Sequence, residues 1–214
     1  MPRTQAEQQV AELLHTAKKA LGLSVTFLSR MDGVTQHLQV VDSSVPLLFP
    51  EGAERPQAAT FCQAILDGRL PAVIPDVRKF PVAMALPAAR FPRLRSYVSV
   101  PVRFSDGSLY GTFCAAGLTT DKGLSERDRA LMEVLASAAA VVLEPGVVEA
   151  ARRAAIEARL RPMMSAGGPT IVMQPIVDLA TGHRVGAEAL SRFPVDWDLA
   201  PDLVFGEAHS VGLG

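Results

Sequence analysis

No uninterrupted apolar run in the sequence approaches the ~18 residues of a membrane-crossing segment, so no transmembrane helix is expected. The first residues, MPRTQAEQQVAELL, are polar and carry no apolar signal core, and a cytoplasmic protein is expected. Neither sign of charge is in excess, since 21 Lys and Arg face 22 Asp and Glu for a net charge of −1. That balance excludes an electrostatic case for nucleic acid or an acidic membrane as partner. Locally basic runs exist, and Arg90-Phe91-Pro92-Arg93-Leu94-Arg95 reads as a solvated face. Cysteine is scarce, and Cys62 and Cys114 lack CxxC or Cys/His spacing, which excludes a zinc site. Both lie in apolar runs, ATFCQAIL and YGTFCAAGL, with no adjacent His or Lys to lower a thiol pKa. They are expected as reduced core thiols and not as a redox pair. The four histidines, His15, His37, His183 and His209, are too scattered for a heme or metal cluster.

What is present is a chain of 214 residues, 49% hydrophobic, long enough for one large domain or a domain with an appendage. Thr4-Gln5-Ala6-Glu7 is a capping box, and Val10, Leu13, Leu14, Ala17 and Leu21 follow at helical spacing up to a stop at Gly22. Leu23–Met31 and His37–Ser43 read as strands around an Asp32-Gly33 turn. AATFCQAILDG reads as a short helix ending at Gly68, and Pro71–Asp76 as a short buried strand. The segment Val77–Arg95 holds Pro81, Pro87 and Pro92 and cannot be one long helix. YVSVPVRF alternates, with Val98, Val100, Val102 and Phe104 on one face, and turns through SDGS into LYGTFCAAGL. Pro101 requires that strand to be unpaired on one side or bulged.

The strongest helix signal is LSERDRALMEVLASAAAVVLEPG, with Leu131, Leu135, Ala138 and Val142 as its apolar stripe and Pro145-Gly146 as the expected break. A second helix is expected from Val147 to about Met164. Strand, turn, strand, loop and helix follow from Pro169. The expected fold class is α+β, an antiparallel sheet covered by helices from the two ends of residues 1–145.

Four segments in order, TFCQAIL, AVIPDVRKFP, RSYVSVPVRFSDGSLYGTFCAAG and LSERDRALMEVLASAAAVV, resemble a GAF domain. The resemblance implies a six-stranded antiparallel sheet with a pocket on one face and helices on the other, serving as ligand sensor and dimerisation unit. A homodimer through terminal helices Thr4–Leu21 and Ser125–Leu143 is expected. A ligand, of unknown identity, is expected near Phe80, Met84, Phe91, Arg95 and Tyr97 if one binds. Cys62 precedes Gln63 and Cys114 precedes Ala115, so the Cys-His pair that anchors a bilin in phytochrome GAF domains is missing. The Asn-Lys-Phe-Asp-Glu signature of cyclic-nucleotide-binding GAF domains is missing too.

QPIVDLATGHRVGAEALSRFP, with PDLVFGEAHSVGLG after it, resembles the start of an EAL domain, the hydrolase that linearises cyclic di-GMP. The resemblance implies that Glu188 is a ligand of catalytic Mg²⁺ or Mn²⁺, that Gln174 and Arg192 touch the dinucleotide, and that Leu190 and Pro194 lie near it. Phe193 stands where the family usually has tryptophan. The remaining ligands and the base-like lysine of the family lie in later strands, so no complete catalytic set is expected. The expected organisation is a GAF-like sensor over residues 1–145, a linker over 146–168 and a truncated start of an EAL (β/α) barrel over 169–214. Such a chain is read as a fragment or truncated product, inactive by itself and needing no metal. The alternative is a GAF-regulated cyclic di-GMP phosphodiesterase, if the chain is part of a longer protein.

Overall fold

Thr4 starts the first helix, α1 (Gln5–Leu21). Its hydroxyl accepts the Glu7 amide at 3.2 Å while the Glu7 carboxylate takes the Thr4 amide at 2.7 Å, a reciprocal cap that stabilises such a helix start by about 1 kcal/mol. Gly22, in the left-handed region at φ 66°, ends it. The computed structural model describes residues 3–213, which divide into two compact units, Met1–Gly146 and Val147–Gly214.

In the first unit, β1 (Val25–Met31) and β2 (Thr35–Ser43) form the hairpin around Asp32-Gly33. The Asp32 carboxylate accepts the amides of Val34 and Thr35. After β3 (Glu54–Pro56) come α2 (Phe61–Leu66), capped by Thr60, and the two-residue β4 (Val73–Ile74). The proline-rich segment breaks into a 3-10 turn and two short helices, α3 (Pro81–Ala85) and α4 (Pro87–Arg90), each started by a proline. The second hairpin is β5 (Ser96–Arg103) with β6 (Leu109–Gly117). All six strands join one antiparallel sheet in the order β3-β2-β1-β6-β5-β4. Pro101 is paired to Thr112 of β6 only, and a register shift follows at Val102/Arg103, as the missing donor requires.

Strand alternation divides the core. Val25, Phe27, Leu38, Tyr97, Cys114 and Ala116 enter a cluster closed by Phe49, Phe61, Cys62 and the α3 and α4 residues Ala83 and Ala89. On the opposite face are Leu28, Val40, Val98, Val100, Val102 and Phe113, all buried. α1 packs there against β1 and β2, burying Val10, Leu14, Ala17 and Leu21.

The last helix signal gives one element, α5 (Glu126–Ser165). The expected break at Pro145-Gly146 does not occur. Proline removes one donor and crowds the carbonyl four residues back, but Val141, which carries that carbonyl, is 73% exposed and water can satisfy it. The alanine-, glutamate- and arginine-rich flanks carry the helix across. The buried stripe also differs from the expected one. Met132, Ala136, Ala139 and Leu143 are buried, while Leu131, Leu135, Ala138 and Val142 lie half-buried on its flank. Glu144 accepts the Ser105 amide at 3.1 Å, tying this part of α5 to the β5–β6 turn. By length and a mean hydropathy of 1.8 over eighteen residues, α5 could cross a membrane, unlike the expectation from uninterrupted runs. Of that stretch 28% is buried, its covered stripe being core of the first unit.

In the second unit, β7 (Thr170–Val177) and β8 (Arg184–Arg192) form an antiparallel hairpin, followed by α6 (Pro201–Ser210). A small core joins Ile156 and Leu160 of α5 to Val204 and Ala208 of α6 and to Val211, with Phe193 and Trp197 against it. The Arg159 guanidinium lies 5.0 Å over the Trp197 ring and pairs with Glu207. Isolated hairpins are marginal in water, and Ile171, Val172, Met173, Ile176, Val177 and Val185 remain between 44% and 67% exposed. No barrel is closed among the described residues, so the expected start of an EAL barrel is not shown.

Candidate functional site

A cavity of about 290 Å³ opens on the first face of the six-stranded sheet. Phe27, Gln36 and Tyr97 of β1, β2 and β5 form its floor. The walls are Leu48 and Phe49, the stretch from Arg55 to Phe61, and Pro87, Ala88, Phe91, Pro92 and Leu94 around α4. Phe27 and Phe49 stack with ring centroids 6.3 Å apart, and Tyr97 lies 5.0 Å from Phe61. The lining is mostly aromatic and aliphatic. Its cation is Arg55, whose guanidinium lies 5.9 Å over the Phe49 ring and makes no ion pair among the described residues. A lined apolar cavity with one convergent charge is the usual form of a small-molecule site.

Of the residues expected at this site, Phe91 and Tyr97 line the cavity. Phe80 and Met84 pack instead against the neighbouring core. Arg95 turns its guanidinium to the carbonyls of Ala89 and Leu94, at 3.1 and 2.8 Å, which holds α4 to the start of β5. Gln36, Phe49, Arg55 and Phe61 were not expected. Arg55 follows a glycine-containing loop, and only the pairing of β3 with β2 brings it to the sheet.

Behind the floor lies a connected polar cluster inside the apolar core. The Gln36 amide donates to Ser29 Oγ at 2.9 Å and to Cys62 Sγ at 3.0 Å. Ser29 Oγ meets Thr112 Oγ1 at 2.8 Å. Cys114 Sγ contacts Thr112 Oγ1 and Ser99 Oγ, each at 3.2 Å. Cys62 Sγ sits 3.0 Å from the Tyr97 hydroxyl and 3.3 Å from Cys114 Sγ. The thiols are buried, as expected, but they also touch, which the sequence did not indicate. Burial pushes the Cys62 thiol up, and hydrogen bonds from Cys114, Thr112, Tyr97 and Gln36 outweigh it and bring the thiol below its ordinary value. Burial and the neighbouring Cys62 push Cys114 up. The two thiols titrate as an interacting pair, with the donors Gln36 and Tyr97 gathered around the Cys62 sulfur.

In the second unit, Glu188 stands opposite Gln174 in the β7–β8 register, Leu190 opposite Val172 and Arg192 opposite Thr170. The alternation puts Gln174, Glu188, Leu190 and Arg192 on one face of the hairpin. Pro194 lies past the strand, preceding the turn Val195–Trp197. No group of three or more His, Cys, Asp or Glu able to hold a metal occurs among the described residues. A lone glutamate beside a glutamine does not make a Mg²⁺ or Mn²⁺ site, so the metal that the EAL resemblance implies for a complete domain has no fitting ligand set in these residues.

An antiparallel six-stranded sheet, with helices on one face and a loop-walled cavity on the other, is the architecture of an α+β sensory domain. The chain belongs to the GAF domain family, whose model matches residues 4–144. No curated protein sequence matches it. The GAF domain of an Acinetobacter phosphoenolpyruvate-protein phosphotransferase is similar in structure, with 11% identity and a TM-score of 0.55 over 68% of this chain and 85% of that one. The free methionine-R-sulfoxide reductase of Neisseria meningitidis, solved with its substrate, has 22% identity and a TM-score of 0.52 over 66% and 80%. The chromophore-binding domain of Stigmatella aurantiaca phytochrome P1 has 14% identity and a TM-score of 0.51 over 66% of this chain and 55% of that chain. At these identities the likeness concerns the fold. The family match ends ahead of the EAL-like stretch, and an EAL domain is not shown.

Proposed function

We propose that this GAF domain senses a small, largely apolar anion that enters the cavity and pairs its negative group with Arg55. The observation that carries the reading is the unpaired Arg55 guanidinium among the aromatic walls of the 290 Å³ cavity. A ring or short alkyl chain would lie against Phe27, Phe61 and Tyr97, excluding water around the ion pair. Thermal shift and calorimetry with one-ring carboxylates, benzoate first, test it. Binding is expected in the parent and about tenfold weaker in Arg55→Ala, the loss of one charged hydrogen bond. No binding across a panel of one- and two-ring carboxylates overturns the reading.

We further propose that the protein acts as a cytoplasmic homodimer in a cyclic di-GMP signalling system. Residues Gln174, Glu188 and Arg192 on one hairpin face support that context through their likeness to the opening of an EAL domain. The chain's own residues supply a single carboxylate there, and the role falls to sensing. The purified chain is expected to leave cyclic di-GMP intact with Mg²⁺ or Mn²⁺. Linear dinucleotide formed in proportion to protein, and abolished by Glu188→Ala, would mean that this chain is itself the phosphodiesterase.

A further inference from the structure

The two thiols of the polar cluster behind the cavity have no part in the ligand reading. Hydroxyls, an amide and two thiols interrupt an otherwise apolar core, and every one of them is directed at another. Most such groups would make an ordinary satisfied network. The two sulfurs differ, because van der Waals contact at 3.3 Å leaves only a short closure to the ~2.05 Å of a disulfide. They come from distant parts of the chain, Cys62 from α2 and Cys114 from β6, so a bond between them would cross-link a helix to the central sheet. Around Cys62 the amide of Gln36 and the hydroxyl of Tyr97 can both donate to sulfur, while Cys114 retains a hydrogen to give or lose. Gln36 and Tyr97 are also cavity floor. Each thus borders the cavity and also reaches the Cys62 sulfur with its polar end.

We propose that Cys62 and Cys114 form a dithiol site that a small hydroperoxide, entering through the cavity, oxidises to an intramolecular disulfide. The Cys62 thiolate attacks the distal peroxide oxygen; the S–O bond forms, the O–O bond breaks, and the alkoxide or hydroxide leaves with a proton to give ROH. Cys114 sulfur then attacks the sulfenic sulfur, the S–S bond forms, and water leaves with the thiol proton. In sum, two thiols and ROOH give one disulfide, ROH and water. The thiols lose two electrons and the peroxide gains them. Cys62, whose sulfur takes donors from the cavity-floor residues Gln36 and Tyr97, is the attacking sulfur and Cys114 the resolving one. The Gln36 and Tyr97 donors lose their sulfur anion when the bond forms, so oxidation also alters the floor of the ligand cavity. Burial restricts the oxidant to molecules small enough to pass that floor, and bulky disulfide reagents are excluded.

The test uses the whole chain, treated with a modest excess of hydrogen peroxide, then unfolded and exposed to N-ethylmaleimide. The expected result is an intact mass lower by two hydrogens, no maleimide on either cysteine, and a single Cys62–Cys114 cross-linked peptide. Dithiothreitol should restore two reactive thiols. Cys114→Ala should stop at the sulfenic acid, trapped on Cys62 by dimedone. Tyr97→Phe leaves both cysteines in place and should slow thiol loss about tenfold by removing one donor to the Cys62 anion; it serves where Cys114→Ala does not fold. Two thiols that stay reactive after peroxide overturn the proposal, as does a disulfide found only between chains or an unslowed Tyr97→Phe. The outcome is independent of whether a carboxylate binds at Arg55.

Discussion

Gly111→Ala is expected to unfold the sensor domain. Gly111 is buried in β6, paired with Arg30 of β1 on one side and Val102 of β5 on the other. A Cβ there would lie 1.8 Å from the Ser29 carbonyl oxygen and 2.8 Å from its carbon. Both are backbone atoms of the adjacent strand, so no rotamer change relieves the clash. β1 would have to leave β6, taking Val25, Phe27 and Leu28 out of two buried layers. Overpacking costs 1–3 kcal/mol where side chains can yield; this rigid site is expected to lose at least about 3 kcal/mol. The melting temperature should fall by at least about 6 °C, or cooperative unfolding should vanish. Gly146→Ala is the contrasting case, exposed in α5 with nothing within 4 Å of its Cβ, and should gain up to about 1 kcal/mol from helix propensity. A melting temperature for Gly111→Ala within about 2 °C of the parent would contradict the β1–β6 approach.

Val141→Glu is expected to convert a dimer to a monomer. α5 carries two apolar stripes. Met132, Ala136, Ala139 and Leu143 are buried in the first unit. Leu131, Val134, Ala138, Val141 and Val148 recur on another face in steps of three, four, three and seven, with Val134, Val141 and Val148 67%, 73% and 58% exposed. That rhythm is the spacing a two-stranded coiled-coil seam needs, Pro145 taking the place between Val141 and Val148, and a second copy of α5 is the partner proposed for it. α1 was also expected to contribute, but its stripe is consumed within its own domain. Light scattering should give twice the 22.8 kDa chain mass for the parent and a single chain for the variant. A parent at 22.8 kDa at micromolar concentration removes the dimer; a variant that stays dimeric moves it to another face.

Features set by neighbours in the chain could be read before the fold was known. The Thr4–Glu7 cap, the Asp32-Gly33 turn and the Val98–Val100–Val102 alternation depend on a few residues each, and they stand where expected. Pro145 was misread because its cost is decided by the exposure of Val141 and by tertiary support, neither of which is local. The α5 stripe was misplaced for a related reason. Alanine, leucine and valine occupy several of its faces, and only the docked helix distinguishes the covered one. At the cavity, the Val77–Arg95 wall announced itself by its prolines, while Arg55 and Phe61 reach the site through long-range pairing. The Cys62–Cys114 contact joins residues 52 apart. A faint signal did exist in Ser29, Ser99 and Thr112, polar residues inside apolar strands and aimed at the same face as Cys114.

Pro101 bears on how copies of this domain coexist at high concentration. β4 covers β5 only at Val98 and Tyr97, with a last bond from the Ser99 amide to Ala72. Beyond that point β5 is a free edge. Backbone donors alternate along a strand, so the next one pointing outward after Ser99 belongs to residue 101, where proline has none. Arg103, exposed, occupies the next outward position. A strand from another molecule trying to extend the sheet would meet a missing hydrogen and then a charge, a combination that natural sheets use against edge-to-edge aggregation. The same imino ring that leaves β5 without an outward donor thus helps keep the sheet six strands wide.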